Sequence, residues 1–166
     1  MAIWQFKFAM VPGAGIRRVH GHLVHVLDEY RVPKISEGTL AVTSPIDAKN
    51  YWEGLDSGVV AAAMSGILEP AKSWSSDALM FGDEDGDRVE VWGDDVDCAI
   101  DLRNFSAPRL ESIVDVARAL GCKLVLHGTG QVIEPIFESI LQEVRSSHAY
   151  AFCVGPVDFL RGSRSD

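Results

Sequence analysis

The sequence predicts an α+β fold: a mostly antiparallel sheet with helices packed on one face, a two-layer sandwich. Three observations carry this. A meander pattern of three strands runs from Ala78 to Arg103, two amphipathic helical stripes with a short apolar strand between them follow it, and a further stripe follows a strand at the N-terminus. The 166 residues, 47% hydrophobic and 23% charged, suit one globular domain, read as residues 1–160 with a frayed tail over 161–166.

Taken in order, residues 3–11 set Trp4, Phe6, Phe8 and Met10 against Gln5 and Lys7 and stop at Pro12-Gly13, the pattern of a strand. Residues 13–15 are too flexible to prolong it. From Ile16, the positions Val19, Leu23, Val26, Leu27 and Tyr30 follow helical spacing, which predicts one helix running to Val32-Pro33. Between 34 and 76 the pattern is less regular. Residues 39–43 read as a strand, 46–52 as a short helix, and 59–68 as an apolar run of either type.

The pattern sharpens at Ala78. ALMFG, DEDGD and RVEVWG form a hairpin turning at Asp85-Gly86, and a turn at Gly93-Asp94-Asp95 leads into VDCAIDLR. Ser106 is an N-cap with Pro108 in the first turn, Leu110, Ile113, Val114, Ala117 and Leu120 make the buried stripe of the next helix, and Gly121 ends it. Residues 123–127 are a short buried strand. Gly128-Thr129-Gly130 is expected to open a helix with Ile133, Ile136, Phe137, Ile140, Leu141 and Val144 inward, and residues 149–154 to add a last strand.

Charge is distributed very unevenly. The formal net charge is −9, and the segment from Asp77 to Asp101 holds ten acids against one base, Arg88, so the whole excess resides there. Such a segment repels nucleic acid and acidic lipid, and attracts a cationic protein surface or a divalent metal. The alternative is that acids gather in solvated hairpin turns, which favour Asp.

The motifs that could carry chemistry are each incomplete. On the predicted helix His25 points roughly 140° away from the apolar stripe, so His20, His22 and His25 diverge and cannot close around one ion. Asp83, Asp85 and Asp87 alternate like the start of a calcium loop, but Gly86 precedes the third Asp, and no bidentate Glu follows at the required place, with Asp95 and Val96 near where such a loop would end. Gly13/Gly15 and Gly128/Gly130 lack the third glycine of a dinucleotide fingerprint, Arg18 and Ile133 occupying that place; a loose anion site at 128–131 stays open. Ser65 in AAAMSGIL has no nucleophile elbow, and Cys98, Cys122 and Cys153 form neither a CxxC nor an even set. Asp97, Asp101 and Arg103 share a strand face, as a carboxylate pair or a surface ion pair. No catalytic residue, metal ligand or cofactor is therefore assigned. Trp92 shares parity with Glu90, which puts it either among the acids as a protein-binding anchor or beneath a covering element.

The stretch SWSSDALMFGDEDGDRVEVWGDDVDCAIDLRN, with LGCKLVL and IEPIFESILQEVRSSHAYAF after it, resembles small bacterial immunity proteins found beside secreted toxin genes, over roughly the C-terminal half. That resemblance implies a protein that binds and blocks a cognate toxin through an acidic surface carrying aromatic residues. The N-terminus MAIWQFKFAMVPGAG lacks the pattern of a secretion signal, so cytoplasmic residence is expected. The expected docking residues are Asp83, Glu84, Asp85, Asp87, Glu90, Trp92, Asp94 and Asp95, set against a basic active-site cleft of the toxin, with neither nucleic acid nor membrane as partner. A rival expectation is a small-ligand binder or enzyme of unidentified reaction with a cleft near 128–131. A further one is a structural subunit in contact through 59–68.

Overall fold

The computed structural model describes residues 3–31 and 50–162, with side chains to Phe159. The chain runs β1 (Gln5–Pro12), α1 (Gly13–His20), β2 (Val26–Arg31), α2 (Gly58–Met64), β3 (Pro70–Ala71), β4 (Leu79–Gly82), β5 (Arg88–Val91), β6 (Val96–Asp101), a 3-10 turn (Leu102–Asn104), α3 (Ala107–Ala119), β7 (Cys122–Leu126), β8 (Thr129–Ile133), α4 (Phe137–Ser146), α5 (His148–Val154) and α6 (Pro156–Gly162). The strands form one sheet of eight in the order β2, β8, β7, β1, β6, β5, β4, β3, with every neighbouring pair antiparallel. The fold is the α+β class that the residue pattern predicts.

Strand β1 sits at the middle and is apolar on both faces. Phe6, Phe8 and Met10 enter the larger core, where α2 (Val60, Met64), α3 (Leu110, Ile113, Val114), α4 (Ile140, Val144) and α5 (Ala149) cover the sheet. Ala9 and Val11 point the other way, into a smaller cluster with Ile16 of α1, Leu27 of β2, Tyr51 and Val125. This is the period-2 alternation of a strand used twice. Although β2 lies three strands from β1 in the sheet, Leu27 is fully buried against Ala9 and Val125, so the β8–β2 edge curls back over the second face.

The meander is as expected, with one shift: the hairpin closes through Gly86 N–H to Asp83 O at 3.2 Å, which centres the turn on Glu84-Asp85 and not on Asp85-Gly86. Ser106 does cap α3, its side chain accepting from Arg109 N–H. Several other expectations are corrected. The helix expected from Ile16 to Val32 ends at His20, because Gly21 adopts a left-handed conformation (φ 78°) and its N–H closes on Arg17 O at 2.8 Å. Val26, Leu27 and Tyr30 belong to a strand whose irregular register with β8 mimics helical spacing. The helix expected from Gly130 begins instead at Phe137, since residues 129–133 pair with β7 as β8. The last strand expected at 149–154 is α5, its start fixed by Ser147 Oγ accepting from Tyr150 N–H at 3.1 Å. The apolar run at 59–68 begins as α2, and residues 51–54 form a turn where the end of a short helix was expected. The strand expected at 39–43, and residues 46–49 of that short helix, lie outside the described residues. Among the described residues no helix is long and apolar enough to cross a membrane.

Gly130 (φ 68°) passes so close to β2 that an added Cβ would stand 2.2 Å from Leu27 O. Gly130→Ala is therefore expected to lose about 2 kcal/mol or more in urea unfolding, while Gly93→Ala, where a Cβ meets open space, stays within about 0.5 kcal/mol. Equal effects at the two positions would contradict the curled edge.

Candidate functional site

The register of β1 assembles the site. Asp97 of β6 is paired with Ala9, while His127, just past β7, donates its backbone N–H to Lys7 O at 3.2 Å; both side chains lie on the face away from α2–α5. Two strand spacings, roughly 10 Å, separate their backbones. On that face the strand between them carries Ala9, level with Asp97, and Lys7, level with His127, and the two side chains meet across it, with His127 Nε2 2.6 Å from Asp97 Oδ1. The curled edge then brings Tyr30 of β2 edge-on to the His127 ring, 5.4 Å between centroids. Its hydroxyl donates to Asp95 Oδ1 at 3.0 Å, and Val96 N–H donates to the same oxygen at 2.9 Å.

Beside this row is a cleft of 470 Å³, lined by Glu29, Tyr30, Asn50, Tyr51, Trp74, Glu90, Trp92, Asp94, Asp95 and Asp97. Trp74 is 77% exposed and leans on Trp92, with ring centroids 5.3 Å apart and planes at 57°. Tyr51 is held from behind by His20, whose Nε2 lies 3.0 Å from the phenol oxygen in a near-parallel stack.

Burial and the adjoining Asp97 charge push the Asp95 carboxyl up to about 6, against the opposing hydrogen bonds from Tyr30 and Val96. Burial, and then the neighbouring carboxylates Asp95 for Tyr30 and Glu29 for Tyr51, raise both phenols above their usual range, so both remain neutral donors. The cleft is thus a set of carboxylates walled by aromatic rings. Such a set accepts a cation, by charge and through the faces of the indoles. Among the described residues the lining of the cleft holds no serine, threonine or cysteine. Cys98 is wholly buried and its thiol is held well above its ordinary range by desolvation, and burial pushes Cys122 up to about 12. The hydroxyls nearest His127 along the chain and across the adjoining cleft are engaged with backbone: Thr129 accepts from Gln131 N–H, Ser146 donates to Gln142 O, and Ser147 donates to Val144 O.

Of the eight residues expected to dock a partner, Glu90, Trp92, Asp94 and Asp95 line this cleft. Asp83, Glu84 and Asp85 are exposed in the β4–β5 turn, at the opposite end of β5. Asp87 is only 7% exposed and holds that turn together: Oδ1 accepts from Asp101 N–H at 2.8 Å and Oδ2 pairs with Arg109 Nη1 at 2.6 Å. Glu90, also buried, pairs with Arg88 Nε at 2.9 Å. Asp101, read with Arg103 as a carboxylate pair or surface ion pair, is buried. It accepts from Arg103 N–H and the guanidinium, which holds its carboxyl below the usual range. Arg103 in turn donates to Asp85 O at 2.8 Å and stacks over Trp4 at 4.3 Å. The four carboxylates at that end are therefore partly structural. His22 and His25 fall in the loop after α1, apart from His20 at its end. The turn at 128–131 belongs to a hairpin, so it presents no helix start to an anion.

The residue pattern had no signal for Tyr30 or His127, which reach the site from 65 and 30 positions away. For Asp97 the signal was present, in its strand parity with Asp101. No family model matches the chain, and no curated protein or solved structure matches it.

Because Asp95 titrates near 6 in the folded chain, above the ordinary 3.8, ionising it costs folded-state stability. Stability contributed by this group falls as pH rises from about 4 to about 6 and does not recover above. Asp95→Asn, which keeps an oxygen for Tyr30 and Val96, should be more stable than the parent chain by about 1–2 kcal/mol at pH 7.5, the gain vanishing toward pH 4 in denaturant unfolding. A gain independent of pH would contradict the assignment.

Proposed function

We propose that the protein is a cytoplasmic immunity protein that binds a cognate bacterial toxin and blocks it by seating a basic side chain from the toxin's active-site region in the acidic and aromatic cleft. The observation that carries this reading is the indole of Trp74, left in solvent against Trp92 and beside Asp94, Asp95 and Asp97. Folding leaves that aromatic area unburied, and an exposed tryptophan ringed by polar groups is the commonest form of a binding hot spot. An arginine or lysine from a partner would gain both the carboxylates and the indole faces.

The net charge of −9 supports the same choice of partner. It speeds encounter with a basic surface and slows encounter with nucleic acid or anionic lipid. A toxin that acts in the cytoplasm requires its antidote there, since protection has to occur where damage does. The resemblance of the C-terminal half to immunity proteins of secreted toxin systems fits this picture, and the cleft supplies a more compact docking surface than the whole acidic segment.

Co-expression with the protein encoded beside it tests the reading. The chain should restore growth to cells poisoned by that neighbour, and Trp74→Ala with Asp94→Lys should lose the protection, each change costing on the order of 2 kcal/mol, or about thirtyfold, in affinity. Asp83→Lys with Glu84→Lys, at the far turn, should retain it. A neighbour that is harmless alone, or protection lost at the far turn and kept at the cleft, contradicts the proposal.

A further inference from the structure

The register of the β5–β6 hairpin sets two carboxylates against each other. Glu90 is paired directly with Asp97 across the strands, and both residues line the 470 Å³ cleft. Side chains opposed in this way are about 5 Å apart at Cβ, and like charges in such a pair are destabilising. Each carboxylate has one compensating group. Arg88 Nε lies 2.9 Å from Glu90 Oε1, and His127 Nε2 lies 2.6 Å from Asp97 Oδ1. Both groups come from one side of the pair: Arg88 is level with Ala99, Ala99 is level with Lys7, and Lys7 O accepts from His127 N–H, so the four residues form the neighbouring row of the sheet.

The other side of the pair is aromatic and acidic. Alternation puts Trp92, two residues after Glu90, on the same face, and its N–H closes the hairpin on Asp95 O at 2.8 Å. Trp74 leans on that indole, and among the described residues neither a lysine nor an arginine lines the cleft. Acceptors are in excess there. Asp95 Oδ1 is taken by Tyr30 and Val96, but the second oxygens of Asp95 and Asp97 have no partner among the described residues and are reached by solvent. Asp94, at the rim, enters no hydrogen bond or ion pair among those residues.

A cation that relieves this arrangement has to meet more than one carboxylate and lie against an indole. Guanidinium does both, since it is planar, carries five donors in a fork that matches carboxylates, stacks on aromatic faces and is weakly hydrated. An ammonium is a compact, strongly hydrated point charge that gains no stacking. We infer that the cleft is selective for arginine over lysine, with the guanidinium paired to the free oxygens of Asp95 and Asp97 and its plane against the Trp74–Trp92 pair. The source is a polypeptide, because Trp74 is 77% exposed and one guanidinium covers only part of that indole. The inference fixes which basic residue the toxin reading needs, and it rests on that reading only for the identity of the partner.

The probes are N-acetyl-arginine N-methylamide and its lysine counterpart, titrated at fixed ionic strength into the isotopically labelled full chain and read at the indole N–H signals of Trp74 and Trp92. Saturable shifts are expected, with arginine bound at least about tenfold more tightly than lysine. Asp97→Asn keeps an oxygen for His127 and removes the charge, so it should weaken arginine about tenfold and narrow the difference between the probes. Trp74→Ala, at an exposed side chain, should weaken arginine about fivefold, and Asp83→Asn, at the far turn, should leave it unchanged. Equal affinity for the two probes, shifts that do not saturate, or arginine binding unaltered in both Asp97→Asn and Trp74→Ala would overturn the inference. Arginine selectivity in a chain whose encoded neighbour is harmless removes the toxin reading and leaves this one, and protection without selectivity does the reverse.

Discussion

The structure depends on a single strand being apolar on both of its faces. β1 gives three large side chains to the helical core and two small ones to the opposite cluster, and a slip of one residue would exchange the two sets. Volume makes that exchange costly: Phe6, Phe8 and Met10 would have to fit where Ala9 and Val11 now lie beneath Leu27 and Tyr51. The register is thereby specified without any polar contact. With it come the positions of β6 and β7, and hence the meeting of Asp97 and His127 across β1.

The acidic segment is two populations with different tasks. At one end of β5, Asp87 and Asp101 are taken out of water, and each has a guanidinium and a backbone N–H to compensate, as a buried carboxylate requires. At the other end, among the described residues, no arginine stands against Asp94 or Asp95. Their neighbours are phenols, indoles and a histidine, groups that hydrogen-bond or flank a carboxylate without cancelling its charge. Net charge alone could not separate these populations. The pairing does, and it is the reason for locating partner binding at the Trp74–Trp92 end.

What was legible in the residues followed from how local the determinants are. The meander and α3 were readable because alternation, a capping Ser106 and a terminating Gly121 act within a few positions of themselves. α1 and β2 merged into one predicted helix, since Val26, Leu27 and Tyr30 happen to keep helical spacing across a glycine that stops the helix. β8 was read as a helix because Gly128 and Gly130 serve hairpins as well as helix starts, and only the approach of Leu27 O decides between them. The site was half legible for the same reason. Asp94, Asp95 and Trp92 are neighbours in sequence, whereas Tyr30 arrives through the curl of the sheet and His127 through strand register, neither of which leaves a local trace.

Amide and indole chemical shifts of the isotopically labelled chain, titrated with a hexa-arginine peptide at low salt, test the central claim most directly. The indole N–H signals of Trp74 and Trp92 and the amides of residues 94–97 should move together with one binding curve, while the amides of residues 83–85 stay in place. Equal movement at both turns, fading together as salt is added, would mean that the carboxylates act only as diffuse charge and that the cleft has no docking role.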